Sequence, residues 1–207
     1  MRVLRGLEEV ELARWADVRV DLGTGDGKFV LRAARAEPGA LHVGVDALAE
    51  PMEASAARAA RKPARGGAAN ALFVACDALA PPPELAGRAS LVTVNYPWGS
   101  LLRAVGEPEP AALAAIAELL RDGGRLVALL NASAAEDRAY AERLELPRLE
   151  PGRLVPAWEA AGLDVDEARM LGPGEEPPHR TTWGQRLVRG SRRETLLVSA
   201  VRPSASS

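Results

Sequence analysis

Asp21-Leu22-Gly23-Thr24-Gly25-Asp26-Gly27-Lys28 closes an apolar run, residues 18–22, and opens an Ala/Arg-rich stretch of helical character over residues 29–36. Glycines at alternate positions allow positive φ and let a ligand approach the backbone with no Cβ in the way. A second apolar run, residues 41–45, ends on Asp46, a carboxylate placed to accept both hydroxyls of a ribose. Strand, glycine turn, helix and acid-tipped strand form the start of a doubly wound α/β fold with a nucleoside at the carboxyl edge of its sheet.

Outward from this stretch, strands and helices alternate. A helix is expected over residues 48–61, then an exposed basic turn, Lys62-Pro63-Ala64-Arg65-Gly66-Gly67, where Pro63 lacks a donor and paired glycines disfavour helix. Strands follow at residues 71–76 and 91–95, a helix at 110–120, and a strand at 125–131 after the stop Asp122-Gly123-Gly124. Residues 131–146 are polar and helix-prone, outside the core. A helix at 152–161, strands at 163–170 and 195–201, and a long loop between them over residues 171–193 complete the order. A loop of this length is often functional. Residues 2–12 suggest a short hairpin ahead of the sheet, within an extension over residues 1–16, and residues 202–207 a flexible tail. Two late strands joined by a long loop imply a mostly parallel sheet with one antiparallel strand. Asp21, Gly23, Gly25, Gly27, Asp46, Asp77 and residues 95–100 then share one rim.

Composition bounds the function. At 207 residues with net charge −2, the chain suits a single domain and is not a uniform polyanion binder. Its charge is uneven, however. Between Glu53 and Asp77 stand Arg58, Arg61, Lys62 and Arg65 with no acid, and between Glu176 and Glu194 stand Arg180, Arg186, Arg189, Arg192 and Arg193. One cysteine, Cys76, excludes an internal disulfide and a cysteine-based zinc site. No signal peptide or run of bilayer length is present, so a soluble, cytoplasmic protein is expected.

With the leading Asp21, the Gly-x-Gly-x-Gly spacing and Asp46, S-adenosylmethionine (SAM) is favoured over NAD as the nucleoside. The acceptor side is carried by aromatics. Asn95-Tyr96-Pro97-Trp98 follows the fourth strand of the sheet, where proline stiffens a turn and Trp98 can stack on a planar base beside the methyl donor. Trp183 lies in a polar loop segment and reads as a contact, whereas Trp15 and Trp158 read as core, as does His42. His179 reads as solvent-facing.

Four segments together, Asp21 to Lys28, Lys62 to Gly67, Pro97-Trp98-Gly99-Ser100-Leu101-Leu102 and Trp183-Gly184-Gln185-Arg186-Leu187, resemble the aminoglycoside-resistance 16S rRNA (adenine(1408)-N1)-methyltransferases of the Kam and Npm type. The likeness spans most of the chain in the same order. It implies a class I SAM-dependent, Rossmann-like methyltransferase with a seven-stranded sheet and a small N-terminal hairpin. The target adenine of 16S rRNA in the 30S subunit would be flipped out and held between Trp98 and Trp183, with no acid or base assigned and no metal. The resemblance implies cofactor contacts from Asp21, Gly23, Thr24, Gly25, Asp46, Cys76, Asp77, Asn95, Trp98 and Ser100. It implies rRNA contacts from Arg61, Lys62, Arg65, Arg186 and Arg193, with Arg192 standing in for an arginine that falls at Ser191 here. A monomer is expected. Asn95-Tyr96 departs from the apolar pair of the family, and the tetrad is also similar to the Asn-Pro-Pro-Tyr of exocyclic amino methyltransferases, so a different acceptor nitrogen stays open. A methyltransferase on another RNA or a small amine, or a non-catalytic binding module, are the alternatives.

Overall fold

The computed structural model describes residues 3–4, 6–7, 12–107, 110–133, 141–142, 146–172, 175–178 and 194–204. Within them the chain runs β1 (Val18–Leu22), α1 (Lys28–Ala36), β2 (Leu41–Asp46), α2 (Glu50–Ala59), β3 (Ala71–Ala75), β4 (Ala89–Asn95), α3 (Gly99–Gly106), α4 (Pro110–Ala117), β5 (Leu120–Asn131), α5 (Pro151–Ala160), β6 (Asp164–Met170) and β7 (Thr195–Val201). The seven strands form one sheet in the order β3-β2-β1-β4-β5-β7-β6. All neighbours are parallel except β7, which is antiparallel to both β5 and β6. This is the mostly parallel sheet with one antiparallel strand that the alternation predicts.

Parallel strands are covered on both faces, so they read as continuous apolar runs, and residues 41–45 of β2 are buried throughout. Val30, Leu31, Met52, Ala56 and Phe73 form a cluster between α1, α2 and β3. A larger cluster joins Val20, Val43 and Val92 to Leu102, Ile116, Leu154 and Trp158. Trp158 is fully buried, and its indole N–H donates to the Val105 carbonyl at 3.1 Å, tying α5 to α3. Trp15 is half-buried against the same cluster, and His42 is buried, its charge disfavoured by that burial and by Arg19. The core readings of these three side chains hold.

Several boundaries differ from the sequence reading. Helix α3 is absent from it: Asn95 to Arg103 reads as a functional turn, yet Leu101, Leu102 and Val105 recur on one side and are buried as a helix face. Asn131 and Leu146 were expected outside the core, but each is 6% exposed, and Leu146 belongs to the large cluster. The tail was expected to begin at residue 202. Instead the Arg202 backbone continues the β5–β7 pairing through Gly123 and Gly124, and its guanidinium donates to the Leu120 carbonyl at 2.7 Å. Leu4 forms a parallel bridge to Val74 at the outer edge of β3, and residues 12–14 form a 3-10 turn. The rest of the expected hairpin, most of the loop after β6, and residues 205–207 lie outside the described residues. Among those described, no helix is long and apolar enough to cross a membrane.

Asn70 is a structural residue that local pattern does not reveal. It is 6% exposed, and its amide nitrogen donates to the carbonyls of Ala34, Glu37 and Ala40 at 2.9, 3.1 and 2.8 Å. One side chain thereby closes the end of α1 and the turn into β2. Asn70→Ala strands those acceptors in a buried place, and we expect it to lower unfolding stability by about 1–3 kcal/mol in a urea titration. An unchanged midpoint would exclude this role.

Candidate functional site

A cavity of about 300 Å³ opens at the carboxyl ends of β1, β2 and β4. Its wall includes Asp21, Asp26, Asp46 and Asp77, with no Lys, Arg or His among the described lining residues; Asp26 is paired with Lys28 at 2.7 Å. Glycine has two different uses here. At Gly27, with φ 66°, a Cβ would fall 2.5 Å from the Phe73 ring, so close packing of the turn against β3 needs its absence. At Gly25, with φ 57°, no described residue beyond its chain neighbours has an atom within 4 Å of where a Cβ would stand, so its bare backbone faces open space. Asp46 fixes that backbone. Its Oδ2 accepts the Gly25 N–H at 2.9 Å and its Oδ1 the Leu48 N–H at 3.0 Å, leaving lone pairs on a held carboxylate for ribose hydroxyls.

Asp21 is the electrostatic centre. It is 5% exposed, and Oδ1 accepts from Thr93 Oγ1 at 2.7 Å and Asn95 Nδ2 at 2.8 Å. Burial pushes its pKa up to about 6; the hydrogen bonds pull the other way, and nearby Asp46 adds to the rise. Because Asn95 gives an N–H to Asp21, its Oδ1 points elsewhere, buried and with no partner among the described residues. An ammonium or amine could take both acceptors. An acidic wall of this kind suits a nucleoside that carries net positive charge, as the sulfonium and ammonium of SAM do. The same wall repels the pyrophosphate of NAD.

Trp98 stands at this rim, 46% exposed, on the extended residue that precedes α3. Pro97 and Ser100 line the same cavity. Tyr96 is buried at 3% exposure, has φ 51°, and places its hydroxyl 3.3 Å from Thr195 Oγ1 at the start of β7. The fold thus brings together Asp21, Gly23, Thr24, Gly25, Asp46, Asp77, Asn95, Trp98 and Ser100. Cys76 is not among the lining residues. It packs against the core, and burial and Asp77 raise its thiol pKa, keeping it protonated. Sequence reasoning missed Asp26, Phe29 and Tyr96 in the wall. Asp26 was legible inside the glycine motif, whereas the inward turn of Tyr96 depends on its positive φ.

The basic turn is elsewhere. Arg61, Lys62 and Arg65 are exposed, as expected, but α2 starts at the rim and runs back, so its end lies at the opposite edge of the sheet. Ten residues of helix separate the two places by roughly 15 Å. The turn is preformed: Arg65 and Gly67 N–H groups donate to the Lys62 carbonyl at 2.8 and 3.1 Å, and the Arg35 guanidinium holds the Gly66 carbonyl. Trp183, Arg186, Arg192 and Arg193, with His179, lie outside the described residues.

Known proteins share this architecture. A family profile described as NpmA, 16S rRNA (adenine(1408)-N(1))-methyltransferase, matches residues 7–202. The 16S rRNA (adenine(1408)-N(1))-methyltransferase of Streptoalloteichus tenebrarius is 37% identical over 179 residues, 84% of this chain and 82% of its own. The crystal structure of the antibiotic-resistance methyltransferase Kmr is similar over 100% of both chains, at TM-score 0.79 and 43% identity. A mutant of the 16S rRNA (adenine(1408)-N(1))-methyltransferase from Catenulisporales acidiphilia, with cosubstrate SAM, matches 95% of this chain and 90% of its own at TM-score 0.81 and 32% identity. A match over residues 7–202 leaves only the two ends of the chain outside it, and the chain belongs to the NpmA family of 16S rRNA (adenine(1408)-N(1))-methyltransferases.

Proposed function

We propose that this enzyme methylates N1 of an adenine in the decoding site of 16S rRNA, acting on the 30S subunit as a cytoplasmic monomer and conferring aminoglycoside resistance. SAM is its cofactor. The observation that carries the reading is the acidic nucleoside cavity with an exposed tryptophan at its mouth. When bound, SAM supplies a sulfonium methyl group electrophilic enough for direct displacement. Adenine N1 in a flipped-out base has a lone pair, so the chain needs no general base; its residues orient and exclude water. Trp98 offers a face for the purine, and the positive charge that the base gains favours stacking on it. Trp183, placed by the sequence motif, supplies the second face. Asp46 receives the ribose, while Asp21 and Asn95 receive the ammonium end near Ser100.

The distant basic turn favours a macromolecular acceptor. Arg61, Lys62 and Arg65 sit too far from the cavity to touch a small amine bound there, but a folded RNA can reach both. A second acceptor also has an observation in its favour: the unpartnered Oδ1 of Asn95 could take an N–H of an exocyclic adenine amine.

Three outcomes test the reading. Primer extension on 30S subunits treated with enzyme and SAM should stop at the target adenine, because N1 methylation blocks base pairing; read-through with methyl incorporation would move the acceptor to the exocyclic amine. Trp98→Ala and Trp183→Ala should each lower the rate by about ten- to a hundredfold with SAM affinity retained by calorimetry. Charge reversal of Arg61, Lys62 and Arg65 should weaken 30S binding and flatten its salt dependence without changing SAM affinity. Failure of that variant to alter 30S affinity would remove the turn from the RNA footprint.

The Asp21 carboxylate gives a pH dependence. Its folded pKa of about 6 exceeds the ordinary 3.8, so the folded apo-protein holds a proton that the unfolded chain releases. Asp21 therefore subtracts stability progressively as pH rises from 3.8 to about 6, and by a constant amount above. Binding a cationic ligand requires the carboxylate. SAM affinity should consequently fall as pH drops below about 6, and Asp21→Asn should bind weakly with a flat profile. A wild-type affinity that stays constant from roughly pH 5 to 7.5 would refute the role.

A further inference from the structure

Tyr96 is under strain from two directions. It has φ 51°, the one positive value among described non-glycine residues, and it precedes Pro97, which further restricts the preceding residue. Such a conformation costs free energy and persists only where its surroundings over-determine it. The surroundings do so here. The Tyr96 N–H donates to the Leu129 carbonyl of β5 at 2.7 Å, its ring is buried with Val127, Leu129 and Leu197, and its hydroxyl lies 3.3 Å from Thr195 Oγ1 on β7. The side chain reaches across β5 to the next strand. Two residues later the chain presents Trp98 in solvent at the cavity mouth.

We propose that the Tyr96 hydroxyl is a positioning group: its bond to Thr195 holds the turn in the left-handed conformation that aims Trp98 over the cavity. This rests on the reading above, in which Trp98 receives the acceptor base. An apolar aromatic would supply the packing alone. The hydroxyl adds a directional tie to β7, a strand that touches neither β4 nor the cofactor loop in the sheet order. Thr195 does not line the cavity, so a change there reaches the site through Tyr96. Tyr96 lines the cavity, but its hydroxyl is turned to Thr195, which lies outside the wall, so SAM affinity should be indifferent to the bond.

The test compares Tyr96→Phe, Thr195→Val, Thr195→Ser and the double variant Tyr96→Phe/Thr195→Val with wild type, in 30S methylation kinetics and SAM calorimetry. Tyr96→Phe and Thr195→Val should each lower kcat by about three- to tenfold, and Thr195→Val, outside the cavity wall, should keep affinity for SAM within about twofold. The double variant should be no slower than either single one, since both remove one bond, and Thr195→Ser should keep the wild-type rate. A wild-type kcat in Tyr96→Phe overturns the proposal, as do single losses that multiply in the double variant. So does a rate loss matched by lost SAM affinity, which marks general loosening. Wild type separates the two readings: if it gives no stop at the adenine the proposed function fails, and if it does, the variants judge the positioning role alone.

Discussion

Asp21, the penultimate residue of β1, is buried, and the hydrogen bonds that its Oδ1 accepts from Thr93 and Asn95 join the first strand to the fourth at the point where the sheet order reverses direction. Burying a carboxylate in this way costs free energy unless it is well partnered. The two β4 donors offset part of that cost and leave the pKa at about 6. A consequence is that Asn95 turns its amide nitrogen to Asp21 and leaves its buried Oδ1 without a partner among the described residues. The glycine turn, the Asp46 hook on Gly25 and the Pro97-Trp98 turn are all arranged around this one buried acid. A ligand cation that reached it would remove the desolvation penalty and join the two halves of the sheet at their common rim.

The rim and the basic turn divide the work by distance. Helices in a doubly wound fold run antiparallel to their strands, so a segment that follows a helix must lie at the far edge from the cofactor. Lys62 and its neighbours are therefore excluded from the chemistry by topology, whatever their charge. Their rigid 3-10 turn, closed by Gly67 at a spot where a Cβ would stand 1.6 Å from the Arg61 carbonyl oxygen, presents charge without the entropy loss of ordering a loop. An acidic cavity and a basic turn coexist in one chain of net charge −2 because some 15 Å of helix keeps them apart.

Much of this was legible in the sequence, for a physical reason. β1, β2 and β7 have the bounds that their apolar runs suggest, because a strand buried on both faces writes its limits into local composition. The glycine turn and Asp46 were equally plain, since backbone approach to a ligand demands particular residue types. What stayed hidden depends on contacts distant in sequence. Helix α3 was obscured because the chemistry-bearing residues before it drew the whole segment into a turn. Leu146 and Arg202 look like loop and tail until Gly106 and the Gly123-Gly124 turn are brought against them. Cys76 shows the reverse error: a residue at the right strand end whose side chain packs on the core instead of facing the cavity.

Methyl transfer to adenine N1 moves a positive charge from a sulfonium to a purine only a short distance away. The cavity's carboxylates attract that charge before, during and after the transfer, so they hold ground and transition states almost alike. Uniform attraction of this kind tightens binding and does little for the chemical step. The acceleration must then come from alignment of a lone pair with a carbon–sulfur bond, where small displacements are expensive. That places the burden on whatever fixes the acceptor's stacking face. In the proposed function that face is Trp98, 46% exposed at the cavity mouth. Its aim is set by the backbone of a strained tyrosine that is anchored two strands away. Under the proposed positioning role, a tyrosine whose hydroxyl is turned away to Thr195 has more leverage on rate than the acids that line the site.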